Sequence, residues 1–545
     1  MLQNLLLIIA SFLLAFIPLY PKIPLFDILP GYIVRVRLED ALILLAFLYY
    51  LVQLFRKKID FKNKVAPWIF AYLGFASLSI LSAIFLIKTI PLELIHVGKS
   101  VLHLFRYTEY FSLFFIMFSS IKKIKDVKVI FYALIFTVLS ISIYGYGQRY
   151  WYWPVFSTMN REFSKGMVLY LTEHARVQST FGGHYDLAAY LVIVLPIFYL
   201  MAINTTKKWQ RFGLHFVHII GLWLLVMSAS RTSFIAYIGA VLFGLLLFAL
   251  AKNKFIEKIV YFFKKSFIYL LLVLIMMYSF GADMRERFEQ VLRAYPETFK
   301  TYEETKKYVA TQSEFITNPM KKIREYQDSK KPKNGIAFDN TELEVVLTPT
   351  DEQPTSVRPI DVYVDVPDRV AVATDSTSSA ITYVDRPRTW SDNALKYGLS
   401  FAIRLDELWP NAVKGFMKNP LLGSGYATLN KKGVEQFTEA ESTDNNFLRT
   451  LGETGLLGFI SFYGAIIVLL AILYKNQKNS DNKQLKIANV AFIAASIGLL
   501  LNASYIDVFA SSKVAFSYWA LAGAVLAYNN LIINENHAKK NKKGS

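Results

Sequence analysis

The chain contains no cysteine, so disulfides are excluded and thiol usage says nothing about its compartment. It also lacks the patterns of several common soluble chemistries. No G-x-x-x-x-G-K-[ST] segment occurs, which leaves a P-loop nucleotide site without support. Neither HExxH nor DxD is found, and the histidines are scattered, with none between His218 and His537. A sequence signature for a bound metal is therefore missing, and no cofactor is expected. The first apolar block, from Leu2, has no basic segment before it and no small-residue cleavage site after it. It reads as a retained helix and not as a cleaved signal.

What the chain does have is apolar length. Of its 545 residues 54% are hydrophobic and 15% aromatic. Apolar blocks of about 15 to 22 residues recur along it, most of them long enough for a bilayer core of roughly 30 Å. The expected fold is an all-α polytopic membrane protein with about 12 transmembrane helices. The spans are placed at 2–20, 41–55, 66–87, 101–121, 128–147, 185–203, 212–229, 232–251, 266–282, 455–474, 487–505 and 511–529.

The net charge of +19 would suit a nucleic-acid partner, but its distribution has a simpler cause. The basic segments 56–64, 122–126, 206–211, 252–258 and 475–486 and the tail 531–545 fall at every second connection. By the positive-inside bias these are cytoplasmic, as are both termini. The connections 21–40, 88–100, 148–184 and 283–454 then face outward. The chain divides into a membrane region 1–282, an extracytoplasmic loop 283–454, a second membrane region 455–530 and the basic tail.

The outward loop between the ninth and tenth spans is by far the longest connection, and a loop of that length is a candidate functional region. Residues 283–330 read as a charged amphipathic helix. Residues 331–390, rich in Pro, Asp, Thr and Ser, contain the alternating pieces "ELEVVLTP", "IDVYVDVP" and "RVAVAT" and read as a small β-rich or disordered insertion. Helical periodicity returns over 395–418 and stops at "KNPLLGSGY".

Arginines on the outward side are the first site candidates. Arg231, in "SASRTSF", lies in the short turn between the seventh and eighth spans, against the positive-inside bias. Its fork of donors suits phosphate oxygens; the bland alternative is snorkelling to headgroups. Arg176 precedes the sixth span beside a Gly-Gly pair that could simply be a turn. Arg404 precedes the Asn-Pro stop, where Glu407 offers an i,i+3 partner. Arg106 and Glu109 lie one turn apart in the fourth span, as a structural pair or a functional one. Asp444, Asn445 and Glu453 stand in "ESTDNNFLRTLGETGLLGF", where the polar residues give way to the tenth span. Asp444 suits a helix N-cap, a role that does not exclude chemistry.

From Asp444 to Gly458 the chain reads D-N-x-F-L-x-x-x-x-E-x-G-L-L-G. This run resembles the signature of the O-antigen ligase and O-antigen polymerase family, usually H-N-x-Y-L-x-x-x-x-E-x-G. "YGYGQ" (144–148), "STFGG" (179–183), "SASRTS" (228–233) and "NPLLGSGY" (419–426) agree with it in type and order. The resemblance implies an inverting, metal-independent glycosyltransferase at the outer face of the bacterial cytoplasmic membrane. It implies an undecaprenyl-pyrophosphate-linked glycan donor and an acceptor hydroxyl on a glycan or lipid-linked acceptor. It implies further that Arg231 and Arg404 grip the pyrophosphate, with Arg176 as a third candidate. Asp444 would act at the acceptor, with Asn445 and Glu453 as substrate-binding neighbours. Asp444 stands where the ligase branch carries His, and the Asp-Asn pair looks more like the polymerase branch. A protein O-oligosaccharyltransferase is an alternative within the same family. A lipid-linked oligosaccharide flippase or transporter is the alternative from another class; it should show inverted repeats and mid-membrane charges.

Overall fold

A backbone amide inside a bilayer needs a partner in its own segment, and the apolar blocks meet this demand as helices. The computed structural model of the protein describes residues 2–26, 35–159, 163–171, 175–285, 399–430 and 442–544. It also describes residue 300 and the short pieces 337–338, 368–373 and 381–386. Helices α1 (Leu2–Leu19), α2 (Leu38–Phe55), α3 (Ala66–Leu81), α4 (Leu94–Ser120) and α5 (Ile124–Tyr150) come first. Then follow α6 (His184–Asn204), α7 (Lys208–Met227), α8 (Arg231–Leu250) and α9 (Phe255–Phe280). After the long loop come α10 (Leu399–Ile403), α11 (Trp409–Lys418), α12 (Asn446–Asn479), α13 (Lys483–Ala503) and α14 (Ser512–Gly544).

The protein is a largely helical, polytopic chain. Among the described residues 10 helices are long and apolar enough to cross a membrane: α2, α3 with its extension to Leu86, α5 to α9, and α12 to α14. The other two predicted spans fall on α1, apolar over the shorter stretch Leu5–Leu19, and on α4, which carries Lys99, Arg106 and Glu109. Several helices extend beyond the predicted limits, because their polar end turns continue the helix outside any apolar window. α9 starts at Phe255, inside the basic segment read as a connection, and α12 begins at Asn446, not near 455.

Burial separates central helices from peripheral ones. α6 is apolar all round and every residue from Leu187 to Leu195 is fully buried, so it runs through the middle of the bundle. α9 buries only Ser266, Tyr269, Val273 and Met276, one stripe at helical spacing, and turns its other apolar faces outward as a lipid-facing helix does. Small residues let neighbours approach: Gly498 of α13 lies against Ala240 and Ala236 of α8. On the side of the basic connections, the Asn476, Asn489 and Asn529 side chains bond one another across α12, α13 and α14 at 2.8–3.1 Å.

The two ends of the bundle differ in chemistry. At one end the basic connections meet: Lys122 Nζ donates to the Lys58 carbonyl at 3.5 Å, and Ser119 Oγ to that of Asp60 at 3.1 Å. At the other end Lys513 Nζ donates to the carbonyls of Pro18, Tyr20 and Thr180 at 2.9, 2.6 and 2.8 Å. There too Lys22 pairs with buried Glu39 at 2.6 Å, and Arg106 bonds both Asp40 and Glu109. The expected Arg106–Glu109 pair is thus one arm of a three-residue network that ties α2 to α4.

The predicted insertion contributes little described structure. β3 (Asp368–Ala373) overlaps "RVAVAT" and pairs antiparallel with β4 (Ile381–Arg386). β2 (Ala337–Phe338) pairs in parallel with β1 (Tyr170–Leu171), so the start of the insertion is tied to the connection before α6. The strand-like pieces "ELEVVLTP" and "IDVYVDVP" lie outside the described residues. So does the predicted helix over 283–330, apart from the helical residues 282–285 and residue 300.

α12 is broken at Gly455, which adopts φ 66° and ψ −168°. The loop 419–430 fills the break. Leu456 N–H donates to the Pro420 carbonyl at 2.9 Å and Leu457 N–H to that of Leu421 at 3.1 Å. Ser424 and Gly425 N–H donate in return to the Gly452 and Glu453 carbonyls, both at 2.9 Å. The loop thereby takes the place of helical bonds that the break removes. A Cβ at Gly455 would meet the Leu421 carbonyl. Gly455→Ala is accordingly expected to cost at least about 1–3 kcal/mol from its left-handed conformation alone, read as a lowered midpoint of thermal unfolding in detergent. An unchanged midpoint would mean the loop is not packed into the break.

Candidate functional site

The site is built where four segments meet at the end remote from the basic connections: 399–408, 442–446, 504–511 and the start of α6. Arg404 heads a π-helical turn, Arg404–Leu408, between α10 and α11. Such turns re-aim side chains and are frequent at functional sites. Here the turn leaves Arg404 6% exposed, with its guanidinium 4.0 Å from the centre of the Tyr505 ring. Arg404 Nη2 pairs with Asp444 Oδ2 at 2.8 Å. The sequence offered Glu407 as its partner; the structure pairs it with the predicted acceptor-side residue, forty positions on.

Asp444 is 31% exposed on its side chain and has φ 52°, a left-handed conformation that Asp tolerates better than most residues. It is not the cap of α12. Asn445 is: its Oδ1 accepts the Leu448 N–H at 3.0 Å. Two adjacent cap-forming residues made the sequence ambiguous by one position, and the backbone turn at Asp444 resolves it. Freed from capping, Asp444 accepts Ser442 Oγ at 2.7 Å and faces Arg404. Burial pushes its carboxyl above the usual Asp range, and the negative charge of Asp507 adds to the push. Arg404, the Ser442 hydrogen bond and Arg449 pull the other way without cancelling it.

Arg176 lies across α6. Its Nη1 is 2.6 Å from His184 Nε2 and 3.5 Å from the Tyr185 hydroxyl. Arg176, Arg404 and Asp444 all lie close enough to Tyr185 for their charges to act on its phenol. The tyrosine therefore marks where two of the predicted arginines and the predicted acid converge. Arg231 opens α8, next after its N-cap Ser230. The same turn is joined to the end of α13 by Ser233 Oγ, which donates to Asn502 Oδ1 at 3.2 Å. The 175–183 segment is joined to the end of α7 by Val177 N–H and the Met227 carbonyl at 3.2 Å. The start of α8 that carries Arg231 thus lies at this end of the bundle with the others.

Glu453 stands apart from the exposed group. It is 2% exposed, and its oxygens accept Arg449 Nε at 3.2 Å and the Ala427 N–H at 3.1 Å. It braces the 419–430 loop and faces inward. Sequence reasoning missed Asp507, which accepts Thr443 N–H at 2.8 Å, Asn445 N–H at 3.0 Å, Ser442 Oγ at 3.1 Å and Arg449 Nη1 at 3.1 Å. A lone carboxylate in the short connection between two apolar helices was the available signal. Tyr505, in the same connection, and His184 were missed as well.

Chemically the arrangement joins cations that can hold phosphate oxygens to a half-exposed carboxylate with a raised pKa. No family model matches the chain, and no curated protein matches it. Asn445→Ala should destabilise the protein by about 1 kcal/mol in thermal unfolding, and Asn445→Ser should recover most of that loss. An Asn445→Ala variant as stable as the native chain would return the cap to another residue.

Proposed function

We propose that the protein is a membrane glycosyltransferase of the O-antigen polymerase or ligase type. It crosses the bacterial cytoplasmic membrane twelve times, with α1 and α4 as spans, both termini cytoplasmic and the Arg404–Asp444 end outward. The donor is a glycan on undecaprenyl pyrophosphate, and the acceptor is a hydroxyl of a glycan or of a lipid-linked glycan. The observation that carries this reading is the Arg404–Asp444 ion pair, with Arg176 beside it across Tyr185.

Pyrophosphate is a good leaving group whose growing charge arginines can stabilise. Arg404, with Arg176 and Arg231, holds it; the planar fork binds two oxygens at once. In the resting chain Asp444 occupies Arg404, and an arriving phosphate takes over that contact. The released carboxylate then accepts the proton of the acceptor hydroxyl as that oxygen attacks the anomeric carbon and the lipid pyrophosphate departs. Attack opposite the leaving group inverts the anomeric centre. Against the flippase alternative, the ion pairs described above, those of Lys22, Arg106, Arg404 and Arg449, lie toward one end of the bundle.

Asp444→Asn tests the chemistry, since Asn cannot take the proton. Turnover of a lipid-linked donor in vitro should fall roughly 100- to 10,000-fold with normal expression. Arg404→Lys and Arg231→Lys should each lose most activity, since an ammonium does not reproduce the fork. In the native enzyme the rate should fall as pH drops through the Asp444 pKa, at a pH above the ordinary Asp value of about 3.9. Full activity in Asp444→Asn would remove the base from the mechanism. Orientation is tested separately. A cysteine replacing Thr350, outside the described residues, should react with an impermeant maleimide in intact cells; labelling only after permeabilisation would invert the topology.

A further inference from the structure

We propose that Asp507 is the positioning residue of this site: its carboxylate holds residues 442–445 and thereby presents Asp444 to Arg404. The proposal rests on the reading of Asp444 as the acceptor-side base and adds the group that sets its place.

The geometry is specific. Asp507 Oδ2 accepts the Thr443 N–H at 2.8 Å and Oδ1 accepts the Asn445 N–H at 3.0 Å. These amides flank Asp444 on both sides, so one rigid carboxylate fixes the backbone before and after it. Between the two pins Asp444 adopts its left-handed φ of 52°, a conformation that surrounding contacts must hold in place. Asp507 is itself anchored, because Arg449 Nη1 lies 3.1 Å from Oδ2. Ser442 couples the two acids: its Oγ lies 2.7 Å from Asp444 Oδ1 and 3.1 Å from Asp507 Oδ2, and its one proton serves only one of them at a time.

Asp507 also acts on Asp444 through charge. The groups acting on Asp444 are Arg404 from the π-turn, Ser442 from its own loop, Arg449 from α12 and Asp507 from the connection before α14; Tyr185 of α6 lies within reach of its charge. Among these, Asp507 supplies the negative charge. Removing it lowers the pKa of the base, so the acid side of the rate profile moves to lower pH.

The absence of native cysteine allows a test that does not depend on activity. Thr443 is fully buried, so Thr443→Cys should react slowly with a water-soluble maleimide. Adding Asp507→Asn should free the segment and raise that rate about tenfold or more. In transfer assays without the cysteine, Asp507→Asn should lower kcat roughly 100-fold, as a misplaced base does, with the KM for the lipid-linked donor within about twofold. Its acid limb should shift downward. Asp507→Glu keeps the charge and a partner for Arg449 but moves the carboxylate, so kcat should fall with the acid limb in place. A Thr443→Cys site equally protected in both backgrounds would overturn the proposal. So would a rise in KM alone in Asp507→Asn, or native kcat in Asp507→Glu, the variant that decides if Asp507→Asn does not fold. A native chain that transfers no glycan would overturn the proposed function, and the cysteine rates would still decide the role of Asp507.

Discussion

A guanidinium held out of water needs its charge compensated, and Arg449 is the one on which this end of the protein depends. It lies between Glu453 and Asp507, and all three side chains are buried. Loss of one partner from such a group costs about 3–5 kcal/mol, because the remaining charge stays buried. Each partner therefore has to be delivered accurately, and each brings a segment with it. Glu453 brings the 419–430 loop through the Ala427 N–H, and its backbone carbonyl accepts Ser79 Oγ of α3 at 2.7 Å. Asp507 brings the 442–445 segment. One buried cation thus fixes the broken end of α12, the loop that fills the break, a neighbouring helix and the acid at the site.

Irregular backbone at this depth follows the same logic. Away from water, a helix break persists only when other protein groups take the freed amides and carbonyls. At Gly455 the 420–425 segment does so from one side, and the π-turn Ser82–Leu86 that ends α3 lies beside it. Asn419 Nδ2 donates to Ser82 Oγ at 3.0 Å, and the Ser424 carbonyl accepts Thr89 Oγ1 at 2.6 Å. The second π-turn, at Arg404, leads through α11 into the same 419–430 loop. The "NPLLGSGY" run is in this sense a packing element. Gly423 permits close contact with the α12 backbone at Glu453 and Gly455, while Gly425 lies against Ala83 and Ile90.

Helices were legible in the sequence because an apolar block is a long-range average that single residues do not disturb. Their ends were not, since polar turns beyond an apolar window keep the helix without adding to the signal, as 446–454 and 255–265 show. The site was half legible. Arg404 and Asp444 were named separately, but forty intervening positions carry no mark of their contact. Glu453 was assigned to substrate although Arg449 stands four residues before it, a spacing that already suggested an inward ion pair. Asp507 had no periodicity to reveal it; its importance comes from four donors, three of them in a segment some sixty positions earlier.

The distribution of polarity bears on what kind of machine this is. A carrier needs polar groups along the route its cargo takes through the bilayer. Here the central helix α6 is buried from Leu187 to Leu200, and apolar there apart from Tyr190 and Tyr199. Deeper in the bundle His218 Nε2 meets the Tyr237 hydroxyl at 2.6 Å, and at the far end the three asparagines bond one another. The ion pairs described above, by contrast, cluster where α1, α2, α4, α6, α12 and α14 present the same end. The charged leaving group of the proposed reaction would meet compensating cations there without crossing the apolar interior. On the proposed reading, that arrangement suits chemistry on a lipid-linked anion whose tail stays in the bilayer, because the charged groups that would meet it gather toward one end of the molecule.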